Sequence, residues 1–307
     1  MSTPTLLLHQ YDTSPFSEKI RKVLAHKGLA WGAVEQPSIM PKPELVPLTG
    51  GYHRIPVLQI GADVYCDTQC IVRVLERLHP DPTVYPGGSV ATAHAWNLWA
   101  DRLLFMPVVA VVFADIGALV PPAFIEDRSK MMPGRDFNEI PKQAPHAREH
   151  VRALVATLEA QLGDGRPWLL GPAFSLADAA CYHPLWFLRV APGAQALLGE
   201  FSRVAGWMAR LEAMGQGERR DVPAAEALAV ARATEPAASG DVDAREPNGL
   251  TAGMPVSVTP DDYGFDPVTG TLVASSVEEI AIRREAPALG ALVVHFPRFG
   301  FRVARTR

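Results

Sequence analysis

Between Ser89 and about Gly217 every periodic segment reads helical and no strand signal interrupts the run, while both flanks carry short strand-like segments. A chain patterned this way places an all-helical body beside β-containing ones and is not one uniformly wound sheet. The helices are expected over Val90–Ile116, with a kink at Pro107, then Pro145–Leu162, Leu176–Arg189 and Ala194–Met214, the last bounded by Gly215. Leu103–Ile125 is long enough to span a bilayer, but Pro107, Asp115 and the pair Pro121-Pro122 break it, so it reads as a buried core helix.

Before the helical stretch, Thr5–His9 is an apolar run of strand length, followed by turn residues Tyr11–Pro15. A helix follows with Phe16, Ile20, Val23 and Leu24 on one face and Lys19, Arg21 and Lys22 off it, closed by Gly28. Trp31–Val34 reads as a second strand and Ser38–Tyr52 as a loop. Arg54–Ile60 is a strand entered through Pro56, Gly61–Asp63 a tight hairpin, and Val64–Cys66 the return. Asp67-Thr68 caps a helix with Ile71, Val72, Leu75 and Leu78 as its apolar face, ending at His79-Pro80. The order β-α-β then β-β-α describes a small α/β domain of four strands.

After Gly217 the composition changes. Ala224–Ala233 reads helical and Glu235–Asn248, rich in Pro, Ala, Ser and Asp, reads as a linker. Five short β-rich runs follow: Pro255–Thr259, Thr271–Ser275, Glu279–Arg284, Ala291–Phe296 and Phe301–Ala304. They predict a small barrel or sandwich. The expected domains are 1–80, 89–217 and 248–307, with a helix and linker over 218–247.

Charge narrows the function classes. The 307 residues hold 29 Lys and Arg against 33 Asp and Glu, a net charge of −4, so there is no basic footprint for nucleic acid or an anionic membrane. With 48% apolar and 20% charged residues the chain is neither disordered nor fibrous, and 3 cysteines do not make a disulfide scaffold. Those cysteines suit a reducing compartment, and the start has no basic region before its three leucines, so the cytoplasm is the expected location.

Four short motifs then line up: Ser14-Pro15-Phe16-Ser17 after the first strand, Ile55-Pro56-Val57-Leu58, Asp67-Thr68 opening a helix, and Ser175-Leu176-Ala177-Asp178. In this order, at strand and helix ends, they make residues 5 to about 217 resemble the cytosolic glutathione transferase superfamily. The resemblance implies a thioredoxin-like α/β domain, an all-α second domain, and glutathione as co-substrate with no metal. The five-strand C-terminal region is an addition to that plan, expected as a small SH3-like barrel.

The resemblance also implies a site. Ser14 stands where a strand turns into a helix, so its hydroxyl and the helix N-terminus would stabilise a bound thiolate; Tyr11 and Ser17 compete for that role, and Ser14 alone could equally be a plain cap. Pro56 resembles the family's cis-proline, which would turn the Ile55 backbone toward the cysteinyl part of the ligand. Asp67 and Thr68 would receive the γ-glutamyl end, the helix N-terminus its carboxylate and Asp67 its ammonium. Arg54, with His53 and more weakly Lys42 as alternatives, would meet the glycyl carboxylate. A small apolar electrophile is the expected partner, held by the helix from Val90 and by part of Pro107–Val120; a homodimer is carried over from the family. The competing reading is a non-catalytic scaffold that interacts through its β region. Disulfide exchange is disfavoured because position 14 or 17 holds no cysteine.

Other residues read as structural. Ser175-x-x-Asp178 is a capping box, and Asp178→Ala is expected to cost about 1 kcal/mol. Cys66 and Cys70 read as small core residues, and no histidine cluster completes a zinc set with them. Trp96, Trp99, Leu103 and Met106 form a core or interface stripe, Trp186, Phe187 and Trp207 read as core, and His295–Arg298 as a strand end with a solvated arginine.

Overall fold

The computed structural model describes residues 5–134, 136–237 and 240–306. Residues 1–4 of the start discussed above, and Ala238 and Ser239 of the expected linker, lie outside the described residues. In chain order the N-terminal elements are β1 (Leu7–Gln10), α1 (Pro15–His26), β2 (Ala30–Glu35), a one-turn α2 (Val46–Thr49), β3 (Val57–Ile60), β4 (Asp63–Cys66) and α3 (Thr68–Leu78). The helices that follow are α4 (Val90–Trp99), α5 (Phe105–Ile116), α6 (Pro122–Met131), α7 (Ala144–Gln161), α8 (Leu176–Phe187), the short α9 (Pro192–Gln195) and α10 (Ser202–Ala213). Last come β5 (Glu218–Asp221), α11 (Ala224–Arg232), β6 (Pro255–Pro260), β7 (Val268–Ser275), β8 (Glu279–Ala286), β9 (Gly290–Pro297) and β10 (Phe301–Arg305).

The chain divides into two compact units. One holds the residues up to Ser17, Ala30–Leu75 and Arg219 onward; the other holds Glu18–Leu29 and Glu76–Glu218. In the first, β1 runs parallel to β2 and antiparallel to β3, and β3 is antiparallel to β4. The four expected strands are present and lie side by side in the order β4-β3-β1-β2. The five C-terminal strands are also present as expected, in antiparallel order β10-β6-β7-β8-β9, and their ladder continues into the first sheet. β9 lies parallel to β4, with Asp63 opposite Val293 and Tyr65 opposite His295. β4 would otherwise expose a row of unpaired backbone groups, and β9 satisfies them. With β5 outside β2, a ten-stranded sheet results.

One core serves both halves of this unit. Leu48, Val57, Val64 and Cys66 pack in a single buried cluster with Val258, Leu272, Ile282, Val294 and Phe296. A smaller cluster joins Leu7 and Val34 to Val222 and to Ala227 of α11. The C-terminal strands thus share this core with the N-terminal residues.

The helical unit departs from the sequence reading in three places. The interruption of the long first helix falls at a π-helical turn, Ala100–Leu104, and not at Pro107. The helix is continuous through this turn, from Val90 to Leu119, and Pro107, which has no N–H to give the Leu103 carbonyl, lies just beyond it. The expected helix Ala194–Met214 is broken: α9 and a 3-10 turn over Ala196–Leu198 precede Gly199, and α10 starts only at Ser202. The third departure is α6, unforeseen, which begins at Pro122 as proline is suited to begin a helix. Of the apolar stretch, Val108–Phe113 are buried as a core helix requires, while Leu103 and Leu119 are exposed.

The apolar spacing of α1 puts its cations off the buried face, yet Lys19, Arg21 and Lys22 are all buried. Each has a carboxylate: Arg21 and Lys22 pair with Glu18, and Lys19 with Asp101 at 2.6 Å. Asp101 also meets His183 Nε2 at 2.9 Å. Lys19 and His183 hold the Asp101 carboxyl below its ordinary value against burial, which alone would raise it.

Asp178 does more than its box requires. Its carboxylate accepts from the Ser175 N–H (2.9 Å) and hydroxyl (2.6 Å), from the Leu169 N–H (2.8 Å) and from Trp207 Nε1 (2.9 Å). It ties the loop before α8 to α10.

Candidate functional site

Strand register brings the expected site residues to one end of the sheet. His9 pairs with Val57, so the chain leaving β1 toward Ser14 lies at the end where Pro56 enters β3. Val57 also pairs with Cys66, so Asp67 and Thr68 leave β4 at that same end. The Ile55-Pro56 bond is cis.

Ser14 is buried at the head of α1. Its Oγ accepts the Ser17 N–H at 3.2 Å, and its own N–H donates to the Tyr11 carbonyl at 3.0 Å. That is cap geometry, and a hydroxyl oxygen that accepts one bond still carries a proton it can donate. The Ser17 hydroxyl is buried without a hydrogen-bond partner. Asp67 has φ 74, the only positive φ outside glycine among the described residues. Its carboxylate accepts the Gln69 N–H at 2.9 Å across the head of α3, and Thr68 beside it is buried. A left-handed aspartate costs free energy, which the cap bond and the tight exit from β4 offset.

The cations expected at the far end of the ligand are engaged within the protein. Arg54, 9% exposed, donates through Nη2 to Asp262 Oδ1 at 2.6 Å and to the Tyr263 carbonyl, and its guanidinium lies 3.8 Å from the Tyr263 ring centroid. Lys42 Nζ donates to the His53 carbonyl at 3.0 Å, and His53 Nδ1 lies 3.7 Å from Asp266. Asp262, Tyr263 and Asp266 all belong to the loop between β6 and β7. No local signal in the sequence ties that loop to residues some two hundred positions earlier.

The cysteines are all buried and unbridged, and burial pushes each thiol well above its ordinary value. None is a nucleophile at neutral pH. Among the described residues no group of three or more His, Cys, Asp or Glu could hold a metal ion. The helical unit contains an open cavity of about 580 Å³ lined in part by Met106, Pro107, Ala110 and Ile140, with Glu139 and His150 at its polar side.

Sequence reasoning missed one polar cluster. His295, read as a strand end, is buried and bridges Asp63 (2.8 Å from Nε2) and Glu279 (2.7 Å from Nδ1), stacked on Tyr65. Burial pulls its pKa down, but the two carboxylates outweigh that and hold it above the ordinary histidine value. Arg298, read as a solvated arginine, is only part-exposed and pairs with Glu246 at 3.1 Å.

The family model "Glutathione S-transferase, N-terminal domain" matches residues 8–83, and "Glutathione S-transferase, C-terminal domain" matches residues 137–210. Among solved structures, a GST-like protein from Pseudomonas syringae is 38% identical with a TM-score of 0.81, covering 98% of this chain and 100% of its own. That coverage leaves too few residues out to omit β6–β10. A glutathione transferase from Phanerochaete chrysosporium (22% identity, TM-score 0.57) covers 69% of this chain and 98% of its own. A rice glutathione transferase, solved in complex with glutathione, covers 68% and 87% (20% identity, TM-score 0.51). No curated protein matches the sequence.

Proposed function

Because this chain belongs to the glutathione S-transferase superfamily, we propose that it binds glutathione at the sheet end described above and activates its thiol for addition to, or substitution on, a small apolar electrophile. The observation that carries this reading is the convergence, fixed by strand register, of Ser14, the cis Ile55-Pro56 bond and the Asp67-Thr68 helix head. The described residues there suit a peptide thiol. The Ile55 backbone next to a cis-proline offers an N–H and a C=O to an extended ligand. The head of α3 offers backbone N–H groups and the positive end of a helix dipole to the γ-glutamyl carboxylate, with Asp67 beside it for the ammonium.

Ser14 holds the thiolate. Its proton points to the sulfur while its oxygen keeps the Ser17 N–H, and the head of α1 adds partial positive charge. A stabilised thiolate is the nucleophile, and water exclusion by the buried surroundings strengthens both interactions. We propose a cytoplasmic homodimer, the location supported by three buried unbridged thiols.

Ser14→Ala tests the role. It removes one charge-assisted hydrogen bond of about 1.5–3 kcal/mol, and one pKa unit corresponds to about 1.4 kcal/mol. The pKa of the bound thiol, read from thiolate absorbance, is expected to rise by roughly one to two units, with turnover at neutral pH falling by a similar number of decades. Glutathione affinity by calorimetry stays within about tenfold, because the Ile55, Asp67 and Thr68 contacts remain. An unchanged titration and unchanged turnover reduce Ser14 to a helix cap.

A second reading, a non-catalytic binding protein on this fold, is favoured by one observation: Arg54 Nη2 is already paired with Asp262 of the loop between β6 and β7. Calorimetry with glutathione that shows no binding at millimolar concentration decides for it.

A further inference from the structure

The loop between β6 and β7 sits against the residues that a thiol peptide's carboxyl end would use. Asp262 and the Tyr263 carbonyl both engage Arg54 Nη2, and the Tyr263 ring covers the guanidinium. A carboxylate grips a guanidinium at two points either side-on, through Nε and Nη2, or end-on, through Nη1 and Nη2. Both grips need Nη2, so neither is open. Two neighbouring basic side chains are also engaged: Lys42 is buried against the His53 carbonyl, and His53 faces Asp266. An incoming carboxylate therefore meets the acidic loop carrying Asp261, Asp262 and Asp266, and a guanidinium whose Nη2 is already taken by that loop.

We propose that Asp262 and Tyr263 set the ligand class of this site: a γ-glutamyl thiol whose far, carboxyl end is uncharged, such as an amide, an ester or a neutral conjugate. This rests on the glutathione reading above and narrows it. Asp262 stands in, within the molecule, for the carboxylate that a free peptide would bring. Recognition of the amino-acid end at Asp67-Thr68 and of the cysteinyl backbone beside the cis-proline is kept.

The test is calorimetry on the full chain with two probes, reduced glutathione and its glycyl monoethyl ester. The ester is expected to bind more tightly by at least about fivefold, a ratio worth about 1 kcal/mol. Asp262→Asn releases Nη2 from its charged partner. It is expected to raise glutathione affinity by about tenfold, the size of a charge-assisted hydrogen bond, and to leave the ester within about threefold. Circular dichroism establishes that the variant is folded; if it is not, the wild-type comparison decides alone. Glutathione bound as tightly as the ester, or more tightly, overturns the proposal and leaves the glutathione reading standing. Binding of neither probe at millimolar concentration overturns the glutathione reading itself.

Discussion

Deleting the Asp178 carboxylate will cost far more than a helix cap. As a capping box alone, Asp178→Ala would remove about 1 kcal/mol. The carboxylate, however, accepts four hydrogen bonds in a fully buried setting, two of them from outside the box, at the Leu169 N–H and Trp207 Nε1. In the alanine variant the N–H groups of Leu169, Ser175 and Trp207 lose their acceptor, while the Ser175 hydroxyl can rotate to another. Each orphaned buried donor costs about 1–3 kcal/mol, so three give roughly 3–9 kcal/mol. Two effects reduce this. Burial pushes the Asp178 carboxyl pKa up, so the variant is relieved of an unfavourable buried charge. Water can also enter the vacated polar space. The net expectation is a loss of about 4 kcal/mol. Asp178→Asn keeps one oxygen acceptor and is expected to lose about half as much. Urea unfolding followed by tryptophan fluorescence measures both, since the Trp207 indole is one of the orphaned groups. A loss of about 1 kcal/mol or less for alanine, at unchanged m-value, would show that the four bonds are not worth their geometry.

Two further outcomes follow from buried charge. Asp101→Asn leaves Lys19, fully buried, without its anion, and should destabilise the protein by about 3–5 kcal/mol, far beyond a surface pair; an effect under about 1 kcal/mol in urea would refute the assignment. His295 has its pKa raised in the folded state, so its stabilising contribution is complete below the unfolded value of about 6.5 and is lost as pH rises through the folded one. Wild-type stability should therefore decline as pH rises above about 6.5, and that part of the slope should vanish in His295→Gln; parallel pH profiles would remove the two carboxylates from the account.

What could be read from sequence was local. Strands β6 to β10 were legible because each is a short β-rich run between turn residues, α7 because its apolar spacing is regular, and α8 because Ser175-x-x-Asp178 marks its start. β5 was illegible: Glu-Arg-Arg-Asp has no apolar alternation, and it is a strand only because β2 offers it an edge. The same holds for the junction of β4 with β9, which pairs Asp63 with Val293. Asp63 reads as a hairpin residue and His295 as a strand end, and nothing nearby in sequence shows that each is the other's partner. The sheet-end site was legible in its motifs, since Ser14, Pro56, Asp67 and Thr68 fall at element boundaries. Arg54 was legible as a cation and illegible as a paired one, because its anion is 208 positions away.

The pairing of β9 with β4 moves the rims of the sheet. A rim strand is a template on which another chain can lay itself down, and apolar rims nucleate fibres. Here the two outermost strands are β5, whose four residues are all charged, and β10, which exposes Arg302 and Arg305. Each incoming strand would have to desolvate those charges to gain a few backbone bonds. The ladder therefore stops itself at both ends, and a second copy of this chain has to approach by side-chain surfaces, not by prolonging the sheet.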